Sequence, residues 1–133
     1  MKDVIIIGGG PAGILCAAAI KENAKEMVNV TIVERLEKIG KKILATGNGK
    51  CNFTNKNLSP RRYNNPKFVT PTLSKYGYKE IVEYLESIGL LSKEISEGRM
   101  YPYTESATTV LEVMRMHLNR LGVNVKTNYE VNK

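Results

Sequence analysis

The sequence predicts an α/β fold with a parallel sheet, built on a Rossmann-like βαβ unit, and three observations predict it. A short apolar run, Val4 to Ile7, leads straight into the glycine-rich turn GGGPAG at residues 8–13. The stretch ILCAAAIKENAK follows, free of Gly and Pro. A second β-branched run, Val28 to Val33, then ends at Glu34. Strand, glycine turn, helix and strand within about thirty residues make a βαβ unit.

Each element has a local cause. Val4 to Ile7 is wholly apolar, as expected of a strand buried on both faces of a parallel sheet. The following segment is rich in good helix formers, and its alanines allow close approach to the sheet. Residues 40–57 are rich in Gly and Asn and read as a loop with special backbone demands. Residues 58–78 carry Pro60, Pro66 and Pro71 and read as irregular connection. Ile81, Leu85 and Ile88 recur at helical spacing, with Gly89 as the residue that ends the helix. Ala107, Val110, Leu111, Met114, Leu118 and Leu121 form a cleaner apolar stripe, stopped by Gly122. Val123 to Val125 reads as a third strand, and Tyr129 to Val131 as the start of a fourth. Residues 1–133 are expected to form one incomplete domain, the N-terminal piece of a longer enzyme, because an open strand edge is a poor place to stop.

Composition narrows the function classes. With 42% hydrophobic and 25% charged residues, the chain is an ordinary globular sequence. No apolar run approaches the roughly 20 residues of a membrane span, and no signal-peptide pattern opens the chain. A cytoplasmic location and no membrane partner are therefore expected. The net charge of +7 suits an anionic partner, either nucleic acid or a phosphorylated cofactor. The cations are spread along the chain, in pairs such as Lys41-Lys42 and Arg61-Arg62, with no basic helix or aromatic-interleaved stripe. A nucleic-acid partner is accordingly not expected.

Cys16 and Cys51 are far apart, without a CxxC motif, so neither a dithiol nor a zinc site is indicated. Cys16 is expected to be a small buried hydrophobe on the first helix, and Cys51 a packing residue. His117 is the only histidine, which excludes a histidine cluster, and a His-based triad is not expected. It reads as structural or solvated. No metal site is expected, and no residue carries the signature of a catalytic acid or base.

Gly8, Gly10 and Gly13 fit GxGxxG. Gly8 permits the tight turn, Gly10 lets the backbone approach a pyrophosphate, and Gly13 lets the helix pack closely. Pro11 suits the first helical position, and the helix N-terminus at Ala12 and Gly13 offers N–H groups to phosphate. Glu34 lies 21 residues beyond Gly13, where a carboxylate can accept hydrogen bonds from ribose hydroxyls and repels a 2′-phosphate. Arg35 stands beside it. This motif serves FAD and NAD alike, since both carry an ADP moiety. In residues 40–55, Lys41 and Lys42 could offset phosphate charge. Thr46, Gly47, Asn48, Gly49 and Asn52 could wrap a second part of a ligand. A plain surface loop is the alternative.

The pairing of GGGPAG with GKKILATGNGKCNFTN resembles the HI0933-like, or aminoacetone-oxidase-like, family of FAD-dependent flavoproteins with two dinucleotide-binding domains. The match runs through Gly40, Lys41, Lys42, Ile43, Leu44, Thr46, Gly47, Gly49, Lys50, Cys51, Asn52, Thr54 and Asn55. Gly98-Arg99-Met100-Tyr101-Pro102 resembles a later family segment. Lysines stand at 41 and 50 where many relatives carry arginine, which keeps the charge and loses the planar fork. The resemblance implies FAD as cofactor, oxidoreductase activity, a small-molecule substrate and NAD(P)H as a candidate electron donor. It also implies a missing substrate-side domain and a missing C-terminal return. By analogy with the wider superfamily, backbone groups at Val131 would meet the adenine edge. An NAD-binding dehydrogenase domain, or a truncated piece without cofactor or activity, are the alternatives.

Overall fold

The computed structural model describes residues 1–132; Lys133, the last residue of the expected domain, lies outside the described residues. Along the chain run β1 (Lys2–Ile7), α1 (Pro11–Ala24), β2 (Val28–Val33), β3 (Thr54–Asn55), α2 (Pro66–Lys75) and α3 (Tyr78–Ser87). They are followed by β4 (Ser92–Glu94), β5 (Arg99–Pro102), α4 (Ala107–Arg120) and β6 (Asn124–Lys126). Short 3-10 segments lie at Lys25–Met27, Lys41–Gly49 and Pro60–Arg62. The chain divides into two compact units: residues 1–45 with residues 111 onward, and residues 46–110.

The first unit is the expected parallel sheet, in the order β1-β2-β6. Ile6 aligns with Ile32, and Ile32 with Val125. Central β2 buries Val30 and Ile32 completely. Ile14, Ala17 and Ala18 of α1 are buried as well, the small alanines letting helix and sheet approach closely. From the α4 stripe this unit buries Leu111, Met114 and Leu118. The stripe ends as expected: the N–H of Val123 donates to the Leu118 carbonyl at 3.0 Å and that of Gly122 to Asn119 at 3.0 Å, a Schellman closure. His117 is structural, its Nε2 lying 2.7 Å from Glu22 Oε1.

Three expectations about this unit are corrected. β1 is not buried on both faces: it is the edge strand, and Ile5 and Ile7 are 67% and 69% exposed. Cys16 is exposed, because the Ile14-Ala17-Ala18 stripe, not the face bearing Cys16, meets the sheet. Residues 129–131 form no fourth strand. Instead the chain beyond β6 runs on beside the end of β2. There Tyr129 N–H donates to Glu34 O at 3.0 Å and Asn128 N–H to Leu36 O at 3.0 Å.

The second unit holds a small antiparallel sheet, β3-β5-β4, which the short strands did not announce in sequence. Its core gathers Cys51, Leu85, Ile88, Leu90, Met100, Ala107 and Val110. Cys51 is thus the packing residue expected. α3 closes on Gly89, whose φ of +102° allows Leu90 N–H to reach the Leu85 carbonyl at 2.8 Å. The irregular connection expected over residues 58–78 is in large part helix α2. Asn65 caps it, its Oδ1 accepting from Phe68 N–H at 3.2 Å, and Pro66 takes the first-turn position where its missing N–H is harmless. Pro71 sits inside the helix, which continues past it to Lys75.

The glycines of the turn separate folding from ligand approach. A Cβ at Gly13 would collide with the Gly8 carbonyl oxygen, whereas one at Gly10 meets nothing within 4 Å. Gly13→Ala is expected to lower stability by about 1–3 kcal/mol. Gly10→Ala should stay within about 0.5 kcal/mol of the parent. Chemical denaturation of the two variants measures the difference.

Candidate functional site

The site in the first unit starts from the turn after β1. Gly8 N–H donates to Val33 O at 2.8 Å, which ties the turn to the end of β2. Gly9 N–H donates to Glu34 Oε2 at 2.8 Å, and Leu36 N–H to Glu34 Oε1 at 2.9 Å. Gly9 is buried, and a Cβ there would collide with Ile39. Gly40 N–H returns to the Gly9 carbonyl at 2.7 Å. Sequence reasoning missed Gly9. The available signal was a third glycine at a position where GxGxxG tolerates any residue.

α1 opens directly from this turn. Its N-cap is Gly10, so no side chain caps the helix, and Pro11 brings no N–H. The first turn therefore presents the Ala12 and Gly13 amides and the positive end of the helix dipole without side-chain competition. The space beside Gly10 is open. That combination suits an anion.

Beside the turn opens a cleft of about 300 Å³, walled by Ile7, Gly8, Val33, Glu34 and Arg35, with Tyr129, Glu130 and Val131 opposite. The structure thus brings Gly8, Glu34, Arg35 and Val131 to one cavity. Glu34 is half-buried and anionic: the Leu36 and Gly9 amide donors hold its carboxyl below the usual carboxylate range. Two donors leave lone-pair positions on the carboxylate for further hydrogen bonds. Lys41 and Lys42 belong to this unit and are exposed; Lys41 makes a 3.7 Å solvated ion pair with Glu37.

Thr46, Gly47, Asn48, Gly49 and Asn52 belong to the second unit. Their loop is self-bonded: Lys50 N–H donates to Gly47 O at 3.1 Å, and Cys51 N–H to Thr46 O at 3.0 Å. Asn48 and Cys51 take positive φ, as the special backbone demands of this segment required. The Asn52 side-chain amide donates to the carbonyls of Thr54, at 3.1 Å, and Met100, at 3.0 Å, so its donors serve the fold. Lys50 is held by Glu105 at 2.8 Å, and Glu105 also meets Lys93 at 2.8 Å. The two ammonium groups bring the Glu105 carboxyl down to about 2. Among the described residues no cluster of His, Cys, Asp and Glu could hold a metal ion, and no helix is long and apolar enough to cross a membrane.

A family model described as the HI0933-like protein Rossmann domain matches residues 2–133. The chain belongs to this family. Over 133 residues, the HI0933-like chain is 41% identical to a 3-dehydro-bile acid delta(4,6)-reductase of Clostridium scindens, covering 98% of this chain and 32% of the relative. It is 33% identical to a ribosomal RNA dihydrouridine synthase of Haemophilus influenzae, covering 99% of this chain and 32% of the relative. The chain therefore spans about a third of the length of these curated relatives. Among solved structures, THI4 of Thermovibrio ammonificans aligns with a TM-score of 0.60 at 20% identity, over 95% of this chain and 38% of that one. That likeness bears on the fold, a Rossmann-type α/β domain.

Glu34 gives a pH signature with a definite sign. Its folded pKa lies below the ordinary value of 4.5, so its contribution to stability is complete above that value and is lost as pH falls through the folded pKa. Glu34→Gln should lower stability at neutral pH by about 1–2 kcal/mol, since one amide donor loses its acceptor. The difference from the parent should shrink as the solution is acidified below 4.5. Denaturation at a series of pH values tests both statements.

Proposed function

We propose that this chain is the FAD-binding part of a flavin-dependent oxidoreductase, with residues 1–133 an incomplete cofactor domain. The observation that carries the reading is the Gly9–Glu34 hydrogen bond beside an uncapped helix N-terminus. It makes a dinucleotide cradle in which the carboxylate and the helix dipole lie on either side of one turn. The residues fit the group: Gly10 leaves room for a pyrophosphate, and the cleft at Glu34 has room for a nucleoside. The reductase among the relatives supports redox chemistry, and the family resemblance supports a flavin.

In this reading the Ala12 and Gly13 amides bind the pyrophosphate, and Gly10 lets it approach. Glu34 accepts from the ribose hydroxyls and turns away a 2′-phosphate. Arg35 and the backbone at Val131 border the adenine. Lys41 and Lys42 offset phosphate charge. The family resemblance assigns Thr46, Gly47, Asn48, Gly49 and Asn52 to the flavin half of the cofactor; of the two glycines, Gly49 is the one with open space beside its α-carbon, whereas a Cβ at Gly47 would meet the Asn52 amide. When bound, FAD supplies the electron-transfer chemistry, and the protein binds, orients and tunes it. NAD(P)H as donor and a small-molecule substrate belong to the same proposal.

The decisive experiment is to denature the full-length protein and identify the released molecule by spectrum and mass. FAD is expected; NAD would establish the dehydrogenase alternative. In the same protein Glu34→Ala should weaken FAD binding roughly tenfold to hundredfold. Gly10→Ala should weaken it without loss of stability. Unchanged FAD content in both variants would remove the assignment. Residues 1–133 alone are expected to bind FAD weakly and to show little turnover, because substrate positioning is worth up to about 7–11 kcal/mol of barrier. Titration of FAD into the purified chain, followed by an assay with NADH, measures this.

A further inference from the structure

The glycine turn of the first unit is tied to α4 through a peptide group of the loop after β2. Gly40 N–H donates to the Gly9 carbonyl at 2.7 Å. The Ile39 carbonyl belongs to the same peptide group as that N–H. It accepts from Arg115 Nη2, on α4, at 2.8 Å. Arg115 is half-buried, and its Nη1 donates to Glu112 Oε1 at 2.9 Å. The wedge is tight: a Cβ at Gly9 would collide with Ile39, and one at Gly40 with the Leu111 side chain. Ile39 and Gly40 are buried, so the peptide group between them needs partners, and one of the two it has is a guanidinium.

The described residues contain no cis peptide bond, so the carbonyl and the N–H of each peptide group point opposite ways. The Gly40 bond to the Gly9 carbonyl therefore turns the next N–H, that of Gly10, away from Gly40. Gly10 N–H donates to no group among the described residues. A Cβ on Gly10 would meet nothing within 4 Å. Two peptide groups in series thus run from the Arg115 guanidinium to an unengaged donor at the start of α1.

We propose that Arg115 is a positioning residue for the anion site at the start of α1. It acts through the Ile39–Gly40 and Gly9–Gly10 peptide groups. The inference rests on the cofactor reading, with a pyrophosphate as the anion. Anchoring both peptide planes fixes the direction of Gly10 N–H before a ligand arrives, which removes an ordering cost at binding. Hydrogen-bonded peptide groups in series also polarise one another. A cation on the far carbonyl therefore makes the last N–H a stronger donor to phosphate. An arginine that only neutralised Glu112 would need neither the Ile39 carbonyl nor the buried wedge.

The test uses the full-length protein freed of bound cofactor and labelled with 15N-glycine, with ADP as the probe. Arg115→Met keeps the apolar stem and removes the donor, and ADP affinity should fall about tenfold. Arg115→Lys keeps a cation and a donor and should stay within about threefold of the parent. Lys38→Met removes an exposed charge next to Ile39, and Glu112→Gln frees the other arm of the guanidinium. Both should stay within about twofold of the parent. In the ligand-free protein, hydrogen exchange of the Gly40 amide should accelerate about tenfold or more in Arg115→Met. The Gly122 amide, just beyond the C-terminal end of α4, should be unchanged. Equal ADP affinity in Arg115→Met and the parent would overturn the inference and leave the cofactor reading standing. An equal loss in Lys38→Met, or no rescue by lysine, would overturn it by reducing Arg115 to a charge at a distance. Exchange at Gly122 accelerated as much as at Gly40, or a variant that does not fold, would overturn it by placing Arg115 in the packing of α4. A parent that binds neither ADP nor FAD would remove the cofactor reading and this inference together.

Discussion

The first unit depends on one hydrogen bond, from the Gly9 amide to the Glu34 carboxylate. It joins the turn after β1 to the residue after β2, the two ends of the parallel pair. Around it the Gly8 amide meets Val33, the Gly40 amide meets the Gly9 carbonyl, and Ile39 fills the space a Gly9 side chain would need. A carboxylate anchored by two amides stays ionised and keeps its orientation. The same group holds the glycine turn in shape and walls the nucleoside-sized cleft. Fold and proposed site therefore share one charge, and a change at Glu34 acts on both.

In the second unit one carboxylate has a comparable organising part. Glu105 holds Lys50 from the glycine loop and Lys93 from β4 at once, and the two ammonium groups bring its carboxyl down to about 2. These groups are solvated, so the pairing sets side-chain direction more than it adds stability. Its consequence is selective: Lys50 is directed by the fold, while the cations of the segment around α2 stay outside any ion pair.

Much of this was legible in the residues. GGGPAG followed by an alanine-rich stretch specifies strand, turn and helix, because each glycine and the proline satisfies a local backbone requirement. Glu34 was legible by spacing, and α4 by its apolar stripe and terminal Gly122. Other features were not. Pro60, Pro66 and Pro71 read as breakers, yet Pro66 behind Asn65 starts a helix and Pro71 is accommodated inside it. β3 has two residues and β4 three, too short to show a period of two. Ile5 and Ile7 looked like interior residues, but within the described residues they share the less covered face of β1.

The sequence by itself determined the βαβ unit, the family and the identity of the turn glycines and their acidic partner. Those follow from short-range chemistry, such as a turn that needs glycine and a helix that begins at proline. Only the tertiary structure decided that the Gly9 amide engages Glu34. It alone brought Tyr129 to Val131 beside the end of β2, and left Phe68 outside the core. These outcomes depend on which distant segments meet, and the meeting is set by summed packing over the whole chain, which no local pattern encodes.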